Sequence, residues 1–281
     1  MDFYELKCKN TKKGLNVYPD FQVGKSKDLM VRGGDFYAIW DEETKLWSTD
    51  EFKVIDIVDN DLNNYINKSN TDKITASYMK DMYSGSWNMY KKYLKICPDN
   101  NRQLDTKILF ANSNVKKSDY ASRKLPYNLE KGSIEAYETL MNTLYSPEER
   151  EKIEWAIGAI ISGDSKKMQK FLVFYGPAGT GKSTVLNIIQ EMFDGYYVPF
   201  NSSDLVNGTN SFATDAFASN PLIAIEHDGD LSNIKDNSVL NTLVSHENII
   251  INQKFKSKYK IKPITFLLMG SNKPVKITDA K

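Results

Sequence analysis

The chain has 281 residues, of which 41% are hydrophobic, so it is long enough to bury a sizeable core and to hold two domains. Because 37 Lys and Arg balance 36 Asp and Glu, the overall charge excludes a strongly basic protein, and any site for a polyanion must be local. Two cysteines exclude a disulfide scaffold, and the lack of a signal peptide or an apolar run of roughly 20 residues predicts a cytoplasmic protein without membrane contact.

Residues 1–132 are predicted to form the smaller, α+β domain of the chain. Residues 36–40 and 46–47 flank a polar turn and are aromatic-rich, which is typical of a β-hairpin. We expect Trp40 and Trp47 of this hairpin in the core. A short strand is also predicted at residues 107–111.

Helical apolar spacing extends from Phe52 to about Leu94, with a polar interruption at residues 67–71. Aromatic and Met side chains continue through its second half. At helical spacing they favour core packing over stacking on nucleic-acid bases. They are Tyr78, Met82, Tyr83, Trp87, Tyr90 and Tyr93.

The second domain is predicted to begin near Ser133. A helix start follows at Ser146, which can cap the helix, with Pro147 at its first position and Glu149 completing a capping box. Isoleucines at helical spacing then lead to an apolar strand at residues 171–175.

Glycines, a lysine and a hydroxyl stand at the spacing of a phosphate-binding loop between this strand and a further helix pattern. Glycines allow backbone N–H groups to turn toward the α- and β-phosphates, while Lys182 would reach the β- and γ-phosphates and Ser183 would bind Mg²⁺. The motif therefore predicts ATP and Mg²⁺ as ligands. Its predicted nucleotide-binding residues are Gly176, Pro177, Ala178, Gly179, Thr180, Gly181, Lys182, Ser183 and Thr184.

Two further strands are predicted to end in polar side chains suited to ATP hydrolysis. Residues 222–225 are apolar and run into Glu226, which is expected to hold Mg²⁺ or to polarise the attacking water. An acidic loop after a strand is the alternative interpretation, and His227 is expected to be exposed or structural. Residues 264–269 lead toward Asn272, which could contact the γ-phosphate or simply form the turn before Pro274.

Five lysines alternate with other residues between the acid and the amide. An extended strand or hairpin would place all five on one face, which suits a phosphate backbone. Residues 251–281 contain eight Lys against one Asp. Edge strands also carry lysines to prevent aggregation, and that alternative stays open. The lysines are Lys254, Lys256, Lys258, Lys260 and Lys262.

The phosphate loop, the strand-end acid, the lysine segment and the strand-end Asn together resemble the superfamily 3 helicases of phages, plasmids and DNA viruses. The aromatic hairpin, residues 124–127 and residues 155–164 look like the phage/poxvirus-type primase-helicase branch. The resemblance implies an α/β fold with a P-loop AAA+-like ATPase core at residues 133–281, preceded by the smaller domain. It also implies a ring, a hexamer at full length, that moves on single-stranded DNA, with primase and other replication proteins as possible partners and, for a viral protein, the host cytoplasm as its location.

Carried over by position, the resemblance makes Lys182 a catalytic and nucleotide-binding residue, Ser183 and Glu226 the Mg²⁺ residues, and Asn272 the sensor. It makes Lys254, Lys256, Lys258 and Lys260 the DNA-gripping hairpin. Where family members often carry two adjacent acids, this chain has His227, so Asp228 or Asp230 is expected to share the catalytic role.

The family also has an arginine finger after the sensor, whereas this chain has no Arg after Arg150. The resemblance therefore implies a chain that is incomplete at its C-terminus and hydrolyses ATP weakly.

Two other classes of ATP-binding protein remain as alternatives. An AAA+ remodelling or loading ATPase that acts on protein would not need the lysine segment. A P-loop kinase for small molecules would need neither the strand-end Asn272 nor a separate N-terminal domain. The primary hypothesis is therefore an ATP-dependent replicative DNA helicase.

Overall fold

The computed structural model describes residues 1–25, 27–69, 73–97, 102–206 and 210–276. The chain divides into two compact units, Met1–Arg102 and Gln103–Lys281, each a mixture of helices and sheets. No helix in these described ranges combines the length and apolar character needed to cross a bilayer.

The first unit contains two small sheets and a set of helices. Its strands are β1 (Tyr4–Thr11), β2 (Gly14–Phe21), β3 (Leu29–Arg32), β4 (Asp35–Asp41), β5 (Leu46–Ser48) and β6 (Ile74–Ala76). Its helices are α1 (Phe52–Lys68), α2 (Met79–Met82) and α3 (Asn88–Tyr93), with a π-helical turn at Tyr83–Trp87 and a 3₁₀ turn at Leu94–Ile96. The sheets have the orders β1-β2-β6 and β3-β4-β5.

The predicted aromatic hairpin is confirmed as β4 and β5, which pair antiparallel with Trp40 opposite Trp47. Their rings meet edge-on at 5.8 Å and both are buried, because cross-strand aromatic pairs shield each other from water.

The predicted helical stretch after the polar interruption is only partly confirmed, since β6 precedes α2. Trp87 and Tyr90 lie in the core as expected, stacked with ring centroids 5.5 Å apart. Tyr93 is exposed instead. The side chains of Met82 and Tyr83 lie outside the described part of the chain.

The second unit contains the longer helices and a parallel sheet. Its helices are α4 (Glu135–Leu144), α5 (Pro147–Ser162), α6 (Ser165–Met168), α7 (Lys182–Met192), α8 (Ser202–Val206) and α9 (Ser238–Val244), with 3₁₀ turns at Lys117–Asp119 and Asp215–Phe217. Its strands are β7 (Leu172–Tyr175), β8 (Tyr197–Pro199), β9 (Ile223–Glu226), β10 (Ile249–Ile251), β11 (Tyr259–Ile261) and β12 (Phe266–Ser271).

The division of the chain lies about thirty residues earlier than the boundary expected near Ser133, because residues 103–132 pack within the second unit. The buried carboxylate of Asp105 accepts a hydrogen bond of 2.8 Å from Arg123 Nε. Arg123 also donates to the carbonyl of Ser219 at 3.1 Å, and the Tyr196 hydroxyl donates to the carbonyl of Arg123 at 2.8 Å. The bonds to Ser219 and from Tyr196 span 96 and 73 residues of sequence.

The strand predicted at residues 107–111 is wrong, since this segment is irregular. Leu125 N donates to Leu109 O at 2.7 Å and Ala111 N donates to Tyr127 O at 3.0 Å, but no regular ladder forms. Pro126, between the two partners, has no N–H to donate.

The start of α5 confirms the predicted capping box. The backbone N–H of Glu149 donates to the Ser146 hydroxyl at 3.4 Å, and the Glu149 carboxylate accepts from the backbone N–H of Ser146 at 2.9 Å. Pro147 stands at the first helical position.

Four strands of the second unit form a parallel sheet in the order β7-β12-β9-β8. Alternate side chains enter two separate cores. Phe174 and Ile225 belong to the core on one face, whereas Ala224 and Leu267 belong to the core on the other. A sheet buried on both faces explains the nearly continuous apolar runs of its strands. Because the strands are parallel, their carboxyl ends lie along one edge.

Candidate active site

The phosphate-loop motif occupies the carboxyl end of β7 and leads directly into α7. Gly181 forms the N-cap of α7 with φ of 80°, a left-handed conformation that favours glycine. A Cβ atom at Gly181 would also lie 2.8 Å from Leu144 Cδ2, so the end of α4 packs directly on the loop. The predicted strand-loop-helix geometry is therefore present, with two physical reasons for glycine at this position.

The amine of Lys182 lies at the centre of a hydrogen-bond network inside the loop. It donates to the carbonyl oxygens of Gly176 at 2.8 Å and Pro177 at 2.7 Å, and to Asn272 Oδ1 at 2.9 Å. Thr180 Oγ1 donates to the same Pro177 carbonyl at 3.0 Å. All three acceptors of Lys182 are neutral oxygens, so an anionic phosphate would compete favourably for this ammonium group.

Ser183 and Thr184 are exposed in the first turn of α7. At a helix N-terminus the first backbone N–H groups have no intrahelical partner, and the helix dipole favours an anion there. The predicted phosphate-binding backbone and the predicted Mg²⁺-binding hydroxyl are thus at the same helix end.

Asn272 follows β12 directly, and β12 lies between β7 and β9. Gly176 N donates to Ser271 O at 3.2 Å, which joins the phosphate loop to the end of β12. This adjacency brings the predicted sensor amide into direct contact with Lys182.

Glu226 ends β9, the strand on the other side of β12. Its carboxylate is partly buried and accepts a hydrogen bond of 2.9 Å from the backbone N–H of Ser202, the first residue of α8. Burial is the main cause that raises the pKa of Glu226, with the charges of Asp228 and Asp204 as further causes. A raised pKa at a strand end is typical of a functional carboxylate rather than a solvated loop acid.

The sequence prediction missed Ser202, whose backbone N–H orients the acid. Asn201 precedes Ser202, and its Oδ1 accepts a hydrogen bond of 2.9 Å from Ser203 N. This Asn-Ser-Ser start of α8 was a visible helix-start signal.

The acids that follow Glu226 have different environments. Asp228 is exposed, and its charge acts on Glu226. Asp230 accepts from Lys273 Nζ at 2.6 Å and from Ser232 N at 2.9 Å. The Lys273 bond holds the pKa of Asp230 well below its usual range. Asp230 therefore ties the loop after β9 to the segment after β12, whereas Asp228 makes its contribution through its charge near Glu226.

The loops after β9 and β12 approach each other closely. Gly229 N donates to Gly270 O at 2.8 Å, and a Cβ atom at Gly270 would lie 2.6 Å from the carbonyl oxygen of His227. His227 is half-buried, with Nε2 3.5 Å from Gln190 Oε1. This contact fits the structural role expected for that histidine.

Ser183 and Glu226 offer a hydroxyl and a carboxylate, which are oxygen ligands of the kind that Mg²⁺ takes. The described part of the chain contains no group of three or more His, Cys, Asp or Glu side chains that could hold a metal ion. Mg²⁺ typically keeps several waters and uses one or two protein ligands besides phosphate oxygens. Ser183 and Glu226 are the residues that would supply such ligands.

The lysine segment forms a hairpin, although not with the single lysine face that alternation predicted. Strands β10 and β11 pair antiparallel only as far as Ile251 opposite Tyr259. Lys260 lies in β11, whereas the other predicted DNA-binding lysines, Lys254, Lys256 and Lys258, lie in the connecting loop. All four are exposed.

The reason for this difference is Phe255 at the hairpin tip. Its φ of 61° is left-handed, which interrupts the extended backbone that an alternating face requires. Its side chain is fully exposed, while Lys254 Nζ lies 5.9 Å from the ring centre of Phe212. The tip therefore presents cations around an exposed aromatic ring.

Comparisons with known proteins give remote similarities. A model for a family of unknown function, DUF5906, matches residues 174–281. No curated protein matches. Function is therefore inferred from the site's own geometry.

Two similar solved structures are apo forms of the NrS-1 C-terminal region. The A form is 19% identical with a TM-score of 0.43, over 52% of this chain and 34% of that one. Another apo structure is 18% identical with a TM-score of 0.44, over 63% of this chain and 38% of that one. The chain thus matches little more than a third of the length of those structures.

Proposed function

We propose that this chain is an ATP-dependent replicative DNA helicase of the superfamily 3 type, which couples ATP hydrolysis to movement along single-stranded DNA. The observation that carries this proposal is the hydrogen bond between Lys182 and Asn272, at the same sheet edge as Glu226. The position of β12 between β7 and β9 supports a P-loop AAA+-like core. In this proposal the amide of Asn272, which follows β12, senses the γ-phosphate from between the phosphate loop and the acid.

In this proposal the loop residues bind the phosphates and Lys182 neutralises charge on the β- and γ-phosphates. A magnesium ion, held at Ser183 and Glu226, would stabilise charge on the phosphates when ATP is bound. Glu226 orients the attacking water and accepts its proton. Asn272 orients the γ-phosphate or the water.

The hairpin lysines supply the contact with DNA. The exposed ammonium groups of Lys254, Lys256, Lys258 and Lys260 bind the phosphates of the DNA backbone. Because every sequence carries the same phosphates, this binding is largely sequence-independent, and salt weakens it. The exposed ring of Phe255 lies among them. This surface favours a DNA translocase over an ATPase that remodels proteins.

The proposed assembly is a ring of several copies of the chain, with replication proteins such as a primase as partners. In the resembled family an arginine after the sensor of a neighbouring subunit completes the site, and this chain has no Arg after Arg150, so its own hydrolysis is expected to be weak. Mass photometry with ATP, Mg²⁺ and single-stranded DNA tests the ring, for which species of several subunits are expected.

The activity is tested by displacement of a labelled strand from a duplex with a 3′ single-stranded tail. ATP-dependent displacement that Lys182→Ala abolishes is the expected result. Displacement that persists in Lys182→Ala would exclude this ATP site as the source of the activity. ATP turnover that DNA leaves unchanged would exclude the helicase and favour the protein-remodelling alternative.

A further inference from the structure

A cavity of about 450 Å³ opens beside the phosphate loop, at the junction of α4 and α5. Its walls are apolar on the side of Leu144, Ile153 and Phe174, and aromatic at Tyr145 and Tyr175. Lys182 lines the same cavity. The proposed phosphate site and this cavity are therefore one continuous space.

The wall of the cavity is fixed to the loop itself. Leu144 packs on Gly181, where a Cβ atom would lie within 2.8 Å of it. Tyr145 meets Phe174 edge-on, with ring centroids 6.2 Å apart. A ligand in the cavity would thus be held in a constant position relative to the phosphate loop.

Two tyrosines supply the aromatic ring and the neutral hydroxyl that line the cavity. Tyr175 is 62% exposed although it directly precedes Gly176 and stands at the end of a core strand. The Tyr145 hydroxyl is buried without a hydrogen-bond partner in the described residues, and burial raises its pKa, so it stays a neutral phenol. An exposed ring beside an apolar wall is suited to a flat aromatic ligand.

We propose that this cavity receives the base of the bound nucleotide and that Tyr175 stacks on it. The inference rests on the proposed function and adds the part of the ligand that the phosphate loop does not recognise. β7 is an edge strand of the described sheet, and all four of its residues line the cavity. The cavity volume lies in the range of about 300–1,000 Å³ that small-ligand sites occupy.

Stacking also predicts which bases bind best. A purine offers a larger ring surface to Tyr175 than a pyrimidine, so purine nucleoside triphosphates should bind more tightly than pyrimidine ones. The contribution of the base is separable from that of the phosphates, because inorganic tripolyphosphate has no base.

The test is calorimetric titration of the whole chain, in Mg²⁺, with ATP, CTP and inorganic tripolyphosphate. Tyr175→Ala should weaken ATP binding roughly tenfold and remove the preference for ATP over CTP, with tripolyphosphate binding unchanged. Tyr175→Phe, which keeps the ring, should bind ATP like the wild type. Because Tyr175 is exposed, its substitution should leave thermal unfolding unchanged.

Other results of this titration would contradict either the base site or the phosphate site. If Tyr175→Ala binds ATP as tightly as the wild type, or loses ATP and tripolyphosphate equally, the base site is wrong. If Tyr175→Ala leaves ATP binding unchanged while Lys182→Ala weakens tripolyphosphate binding, the phosphate site stands without the base site. If the wild type binds none of the three ligands, both the proposed function and this inference are wrong.

Discussion

Lys182 Nζ donates a hydrogen bond of 2.9 Å to Asn272 Oδ1, although ninety residues separate the two in the sequence. The bond exists because β7 and β12 are neighbouring parallel strands, so the residues after their carboxyl ends meet. Both side chains are assigned here to the γ-phosphate. Their contact places both side chains within reach of one γ-phosphate.

Substitution of Asn272 separates turnover from binding. Asn272→Ala should leave ATP affinity nearly unchanged and slow hydrolysis roughly 100-fold, since one neutral group that stabilises the transition state is lost. Asn272→Asp should instead weaken ATP binding, because a carboxylate at 2.9 Å would hold Lys182 as an ion pair. Fluorescent-nucleotide binding and steady-state turnover measure the two effects. Equal loss of affinity in both variants would contradict this account.

Glu226→Gln should stabilise the nucleotide-free protein while it abolishes turnover. Burial raises the folded-state pKa of this acid above its unfolded value, so its contribution to stability is full below the unfolded pKa and is lost as pH rises through the folded pKa. The amide removes that loss and still offers an oxygen to Ser202 N. Thermal unfolding should therefore show a higher Tm for the variant at pH 8 and no gain at pH 4. A lower Tm at pH 8 would contradict the burial assigned to Glu226.

Removal of two hairpin lysines should reduce the salt dependence of DNA binding. For single strands each neutralised phosphate contributes about 0.7 to the slope of log affinity against log salt, so Lys256→Ala with Lys258→Ala should lower the slope by about 1.4. Lys107→Ala with Lys131→Ala removes the same charge from exposed positions outside the hairpin. Fluorescence anisotropy at several salt concentrations compares the pairs. Unchanged slope in the hairpin variant would make the DNA assignment of the hairpin wrong.

The buried ion pair of Asp105 and Arg123 should matter greatly for stability. Asp105 is 1% exposed, so Asp105→Ala leaves Arg123 without its buried partner and should cost about 3–5 kcal/mol in the free energy of unfolding. Glu148→Ala breaks the exposed pair with Lys152 and should cost far less, because solvent screens the charges of that pair. Urea unfolding of both variants makes the comparison. Similar costs would contradict the attachment of residues 103–132 to the second unit.

Local chemistry made much of the second unit predictable. The capping box at Ser146 depends on neighbouring residues alone and is present as expected. Apolar runs likewise located β7, β9 and β12. The positions of β9 and β12 could be predicted because each is buried on both faces.

Long-range packing explains what the sequence did not predict. The order of strands, which inserts β12 between β7 and β9, follows from tertiary packing rather than from any one segment. The bonds of Arg123 across the fold, which set the division of the chain, are equally nonlocal. The left-handed conformation of Phe255, which interrupts the lysine face, could not be predicted from residue type, because bulky residues rarely adopt it.

The most direct test of the central claim is steady-state ATP hydrolysis by this chain, with Mg²⁺, at increasing concentrations of single-stranded DNA. The account predicts turnover that rises several-fold with DNA, saturates, and is absent in Lys182→Ala. The Lys256→Ala, Lys258→Ala variant should keep the DNA-free rate and lose most of the stimulation. ATP turnover that is equal with and without DNA in the wild type would contradict the claim.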